Sequence, residues 1–166
     1  MIRSAALLVA LALLAGCGLR PLYSGGSSGT VAQSLGRVEV AEIPGRAGWL
    51  VHNALNDRFG AVAQGAPRYR LEVELDDQIS GFGVRSDDAV TREQRTLRAR
   101  YRLIDAGMGT VVLDATAGSD AGIDVVSSEY ATIAAENTAL ERLAQVVADQ
   151  IVARVALYAS RAPASQ

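Results

Sequence analysis

The chain has 166 residues and a formal net charge of −2, from 16 basic and 18 acidic side chains. Every basic residue is arginine, and positive charge is not in excess, so the sequence does not indicate nucleic-acid binding. This length suffices for one domain with a packed core, and a single cysteine excludes an internal disulfide.

The N-terminal segment is typical of a lipoprotein signal peptide. The uncharged run 5–16 follows Arg3 and is too short to span a bilayer, which needs about 20 residues. The run ends in "LAGC", which resembles a lipobox and implies cleavage before Cys17 and lipidation of this residue. Gly18, where an aspartate commonly marks retention in the inner membrane, favours the outer membrane. A buried structural cysteine or an intermolecular disulfide is the alternative.

Composition divides the chain into four segments. Residues 24–29, "SGGSSG", are typical of a flexible tether, and the C-terminal "SRAPASQ" is typical of a loose end. We predict a removed signal peptide over 1–16, a lipidated N-terminus and tether over 17–34, a single α+β domain over 35–160 and a loose tail over 161–166.

The patterned elements follow one another in the order βαβββα. Apolar residues three and four apart predict the two helices, and alternating apolar and polar residues predict the strands. The predicted bounds are strand 36–43, helix 48–60, strands 68–78, 92–104 and 110–117, and helix 130–158, with loops over 79–91 and 118–129.

Each predicted strand has one apolar face, which requires one covering layer of helices. The connection through the first helix permits a parallel pair of strands, and the short turns between later strands predict antiparallel pairs. We therefore expect a two-layer α+β sandwich, a four-stranded mixed sheet with two helices on one face, preceded by a signal peptide. The other face of the sheet is polar.

Arginines concentrate in the middle of the chain. Arg98, Arg100 and Arg102 alternate with apolar residues, so they share the polar face with the acidic residues of the preceding strand, and cross-strand pairing is the simplest interpretation. Arg85 and Arg92 lie in the predicted loop and at its exit, where they are better placed to meet an anionic ligand. Neutralisation by the acidic pair at 87–88 remains the alternative.

Catalytic chemistry has little support in this sequence. The only histidine, His52, is expected to be an exposed surface residue, and no metalloprotease, P-loop or dinucleotide-binding motif is present. The adjacent aspartates at 76–77 and 87–88 are more often solvated turn residues than metal ligands. We therefore expect a non-enzymatic protein without cofactor or metal. A lipid-anchored periplasmic hydrolase and an envelope scaffold lipoprotein remain the alternatives.

Four motifs in order give the chain a resemblance to a known family. They are "CGLRPLY" at the lipobox, "RYRLEVELDDQ", "TREQRTLRARYRLID" and "SSEYATIAAENTALERLAQ", and they cover most of the chain after the signal peptide. The chain resembles the lipopolysaccharide-assembly lipoprotein family LptE, in its alphaproteobacterial form. Leu19 departs from a common aromatic, and "DVVSSEYA" lacks an expected Tyr-Asn pair.

This resemblance implies a role at the outer membrane. It implies a plug within the β-barrel protein LptD, direct binding of lipopolysaccharide during delivery to the cell surface, and help in barrel assembly. By its position in the hairpin, Arg85 matches a basic residue that the family directs toward the glycolipid, and we extend this expectation to Arg92 and Arg95. The expected location is the periplasmic face of the outer membrane, through acyl chains such as palmitate on Cys17.

Overall fold

The computed structural model describes residues 30–60, 65–84 and 90–161. Within these ranges, seven elements follow in chain order. They are α1 (Thr30–Leu35), β1 (Val38–Val40), α2 (Gly45–Gly60), β2 (Tyr69–Val84), β3 (Val90–Asp105), β4 (Thr110–Asp124) and α3 (Glu129–Arg161). The predicted signal peptide, Cys17, Arg85 and the tail from 162 lie outside the described residues, and their roles stay predictions.

The four strands form one sheet in the order β1-β2-β3-β4. The β1–β2 pair is parallel, with Val38 opposite Tyr69, and the two other pairs are antiparallel. Both long helices cover the same face, because side chains from β2, β3, α2 and α3 join one buried core. The predicted fold class, an α+β sandwich with βαβββα order, is therefore confirmed.

The core lies between the sheet and the helices α2 and α3. Alternate positions of β2 and β3 bury Leu71, Leu97 and Tyr101. The residues that directly follow or precede them in each strand, such as Arg98 and Arg100, face away from the core. Leu55 and Val147 are fully buried on the two helices. No helix among the described residues is long and apolar enough to cross a membrane.

Strand lengths differ from the predicted bounds. The segment 79–91 was expected to be a loop, but 79–84 and 90–91 continue β2 and β3. Residues 118–124, also expected in a loop, continue β4. Glycines and small polar residues have low strand propensity, and here cross-strand backbone pairing overrides that preference. The hairpin therefore continues beyond the apolar part of the strands.

A short helix, α1, overlaps the end of the segment assigned to the tether, over 30–34, and ends at Leu35, the first residue of the predicted domain. Its residues Ala32 and Leu35 are buried, and the helix contacts α3. Burial of these two apolar side chains explains why a segment without a long helical pattern is ordered there.

Candidate functional site: the polar face and hairpin end of the sheet

Cross-strand ion pairs cover the face of the sheet that is opposite the helices. Arg102 pairs with Glu72 on β2 at 3.2 Å, in agreement with the pairing expected from the sequence. Arg100, however, pairs with Asp114 on β4 at 3.0 Å, although it lies opposite Glu74 of β2. The carboxylates of both neighbouring strands therefore compete for the central arginines of β3.

Arg98 shows the same preference for β4. Its guanidinium lies 3.1 Å from Asp120, and its stem crosses Gly118, where an added Cβ would lie 2.5 Å from Arg98 Cδ. Thr96 also donates to Asp120, at 2.7 Å. A larger residue at Gly118 would therefore displace the Arg98 side chain from its present path to Asp120.

These contacts change the acidity of the β4 carboxylates. The hydrogen bond from Arg100 lowers the pKa of Asp114 below its ordinary value. The pKa of Asp120 is lowered first by the hydrogen bond from Thr96 and then by the one from Arg98. Both groups are therefore stable anions at neutral pH, which suits ion pairing and not general acid catalysis. We use the name charge ladder for the three ion pairs on this face, Arg102–Glu72, Arg100–Asp114 and Arg98–Asp120.

Arg95 faces the helices and not the charge ladder. Its Nε and Nη2 donate to the two oxygens of Asp77 at 2.8 and 2.6 Å, and its Nη1 donates to the backbone oxygen of Glu136 at 2.9 Å. The side chain is only 11% exposed, and the Asp77 contact raises its pKa. Arg95 therefore connects the hairpin to α3, and its guanidinium has three protein acceptors already.

Arg92 is the described arginine closest to the hairpin end. It lies in one row across the polar face, between Phe82 on β2 and Asp124 on β4. Its Nε donates to Asp124 at 3.0 Å, while the side chain remains 63% exposed. Its terminal nitrogens donate no hydrogen bond to the described residues. Arg85, the other predicted ligand residue, lies outside the described residues.

Exposed apolar side chains that the residue pattern did not predict lie on the last part of β2 and at the start of α3. Ile79 and Phe82 are exposed on β2, and Tyr130 and Ile133 are exposed at the start of α3. Glu93 contributes a buried carboxylate oxygen, Oε2, that has no hydrogen-bond partner in the part of the chain that the structure describes. The available signal for these exposed apolar side chains was the presence of isolated apolar residues in a glycine-containing segment. The hairpin end combines cationic and apolar groups.

The two predicted site residues that the structure describes, Arg92 and Arg95, have different surroundings. Arg92 is open on the polar face, Arg95 is enclosed on the helix side, and the structure does not describe Arg85. Within the described ranges, no three His, Cys, Asp or Glu side chains converge as metal ligands would.

Comparisons with known proteins identify the family. The family model "LptE: Lipopolysaccharide-assembly" matches residues 35–155. A lipoprotein from Caulobacter crescentus CB15 is similar at 28% identity and a TM-score of 0.67, over 82% of this chain and 100% of that one. A search of curated proteins gives no significant match.

Two more distant structures share the fold. The minor lipoprotein from Acinetobacter baumannii has 16% identity and a TM-score of 0.61, over 78% of this chain and 96% of that one. Lipoprotein B from Nitrosomonas europaea has the same identity and TM-score, over 75% and 84%. Members of the matched family act in lipopolysaccharide transport as non-enzymatic lipoproteins of the cell envelope. With most of its length matched, the chain belongs to the LptE lipopolysaccharide-assembly family.

Proposed function

We propose that this chain is the lipoprotein subunit of the outer-membrane lipopolysaccharide translocon, seated in the lumen of the LptD β-barrel. Lipidation of Cys17 would hold it on the periplasmic face of the membrane. In this role it binds the barrel and lipopolysaccharide, and it assists delivery of the glycolipid and assembly of the barrel. The observation that carries the proposal is the charge ladder on the free face of the sheet.

The charge ladder suits a polar and hydrated partner surface. Arginines and carboxylates alternate along it, and their exposed pairs would lose hydration against lipid or an apolar protein surface, which is unfavourable. The interior of a large transmembrane barrel is polar, in contrast to its lipid-facing exterior. A one-sided sheet can therefore present the charge ladder to the barrel wall while the helices keep the core closed.

The hairpin end supports a contact with lipopolysaccharide. A guanidinium can bind a phosphate through two parallel hydrogen bonds, and the terminal nitrogens of Arg92 are available for this. Phe82 lies beside it in the same row and is exposed. Together they match an amphipathic ligand with phosphates next to acyl chains. Arg85 belongs to the proposed contact by its sequence position. Arg95 would have to break its ion pair with Asp77 before it could bind a phosphate.

Co-purification tests the partner. The full chain, with a photo-crosslinking amino acid at exposed Thr116, which lies opposite Arg100 of the charge ladder, is isolated from detergent-solubilised outer membranes. We expect a β-barrel protein to co-purify and a covalent adduct to form on illumination. Isolation of the chain without any barrel protein would rule out its role as a translocon subunit. Co-purification of a barrel protein without an adduct would rule out the charge ladder as the contact surface.

Charge reversal tests the ligand contact. Arg92→Glu is compared with Arg142→Glu, a matched change at an exposed arginine on α3. Lipopolysaccharide binding to the purified protein should weaken at least about fivefold for the first variant, because an exposed phosphate contact contributes about 1 kcal/mol. The second variant should bind as the wild type does. Equal affinities for both variants would remove Arg92 from the binding site.

A further inference from the structure

A cleft lies beside the β1 edge of the sheet, apart from the hairpin end. It has a volume of about 500 Å³ and opens between the loop after β1 and the first turns of α2. Its lining residues are Glu42, Ile43, Pro44, Trp49, His52 and Asn53. No residue of the charge ladder contributes to it.

Trp49 presents its indole to solvent in this cleft, with 63% of its surface exposed. The helix α2 is held by Val51 and Leu55, which are fully buried on its other side, so Trp49 contributes little to the core. A tryptophan has a large apolar body with one polar N–H, and an exposed one beside a concave surface is typical of a binding position.

Polar groups accompany the indole at helical spacing. His52 and Asn53 follow Trp49 by three and four residues, so the three side chains share one face of α2. The amide nitrogen of Asn56 lies 3.1 Å from Nδ1 and 3.3 Å from Nε2 of the His52 ring, so it contacts the ring from the next turn of the helix. Glu42 and Asn53 make no side-chain hydrogen bond with the described residues, so a carboxylate acceptor and a carboxamide donor and acceptor remain available.

We propose that this cleft binds a saccharide. A pyranose ring has a C–H face that fits a flat indole and hydroxyl groups around its rim, which Glu42 and Asn53 can hold by hydrogen bonds. An apolar peptide fits less well, since Ile43 is buried and only Trp49 and Pro44 offer exposed apolar surface. The sugar could come from the cell-wall glycan or from the carbohydrate part of lipopolysaccharide, which share this chemistry.

Trp49 is the only tryptophan in the chain, so its fluorescence reports on the cleft directly. The full-length protein, in a detergent without a sugar headgroup, is titrated separately with tetra-N-acetylglucosamine, with delipidated core oligosaccharide and with a proline-rich decapeptide. We expect a saturable fluorescence change with at least one saccharide and none with the peptide. The responding saccharide identifies the source. A response to the peptide alone, or to none of the three, would overturn the proposal.

Variants measured by calorimetry assign the contact. Trp49→Ala should weaken saccharide binding at least about tenfold, and Asn53→Ala should weaken it about threefold, as expected for a central aromatic contact and one hydrogen bond. Met108→Ala, an equally exposed apolar residue in the β3–β4 turn, is the matched control and should bind normally. Unchanged affinity in both cleft variants would contradict the proposal. Co-purification with a barrel protein is independent of this outcome, so the two proposals fail separately.

Discussion

Replacing Arg95 with methionine separates a structural arginine from a ligand-facing one. Methionine keeps most of the aliphatic length but removes the two bonds to Asp77 and the one to the backbone oxygen of Glu136. The matched change is Arg92→Met, which removes a single exposed contact with Asp124. Both variants lose one positive charge near the hairpin end, so they differ in burial and in the number of contacts.

The structure sets the expected magnitudes. A hydrogen bond to a charged group contributes about 1.5–3 kcal/mol, but desolvation offsets much of the gain in a pair that is enclosed. Arg95 is 11% exposed and Asp77 is 23% exposed, so some solvent screening remains. We expect Arg95→Met to lower the free energy of unfolding by about 2 kcal/mol. Arg92 and Asp124 are both mostly exposed, and such pairs contribute about 0–1 kcal/mol.

Circular dichroism of the full chain in detergent micelles measures the free energy of unfolding of each variant in urea, and its melting temperature on heating. A loss of about 2 kcal/mol corresponds to a fall in melting temperature of about 4–8 °C for a domain of this size. Arg92→Met should shift the melting temperature by less than about 4 °C. Equal losses in the two variants, or an unchanged stability in Arg95→Met, would refute the distinction between an enclosed and an exposed arginine.

Three further changes test the charge ladder, the start of α2 and the edge of the sheet. The lowered pKa of Asp114 means that its contribution to stability is present above its unfolded pKa of about 3.9 and is lost as pH falls through its lower folded value. Asp114→Asn should therefore reduce the pH dependence of melting below about pH 4, and an unchanged acid slope would contradict this. Gly48→Ala would place a Cβ against the carbonyl of Ile43, and we expect a loss of at least about 3 kcal/mol in urea unfolding. Gln150 pairs with both backbone groups of Gly118 as a neighbouring strand would. Gln150→Leu should expose this edge and promote self-association in light scattering, whereas a monodisperse variant would show that the amide does not protect it.

Local alternation was sufficient to assign the central strands and their faces. Side chains at 71 and 97 enter the core while those at 72 and 98 face outward, because successive strand residues point to opposite faces. The same rule, extended from Leu97, places Arg95 on the helix side. Alternation therefore contained a signal for the enclosed position of Arg95, although its position in sequence grouped it with Arg85 and Arg92.

Strand ends and ion-pair partners could not be read from the same pattern. Gly81 and Gly122 weaken strand propensity, and only backbone pairing with the adjacent strands keeps those segments extended. The sequence placed Asp114 in a strand but did not predict its ion pair with Arg100, because their proximity depends on the register between β3 and β4. Register is a property of two paired segments and not of either one.

The sequence by itself determined the βαβββα order, the apolar and polar faces of the sheet, and the family resemblance, because each depends on the type and spacing of residues along the chain. Only the tertiary structure decided which arginines are engaged by carboxylates, how far the hairpin extends, and that Trp49 and Glu42 line the same cleft. These features depend on distances between segments far apart in sequence, which are set by packing of the helices on the sheet and by strand register.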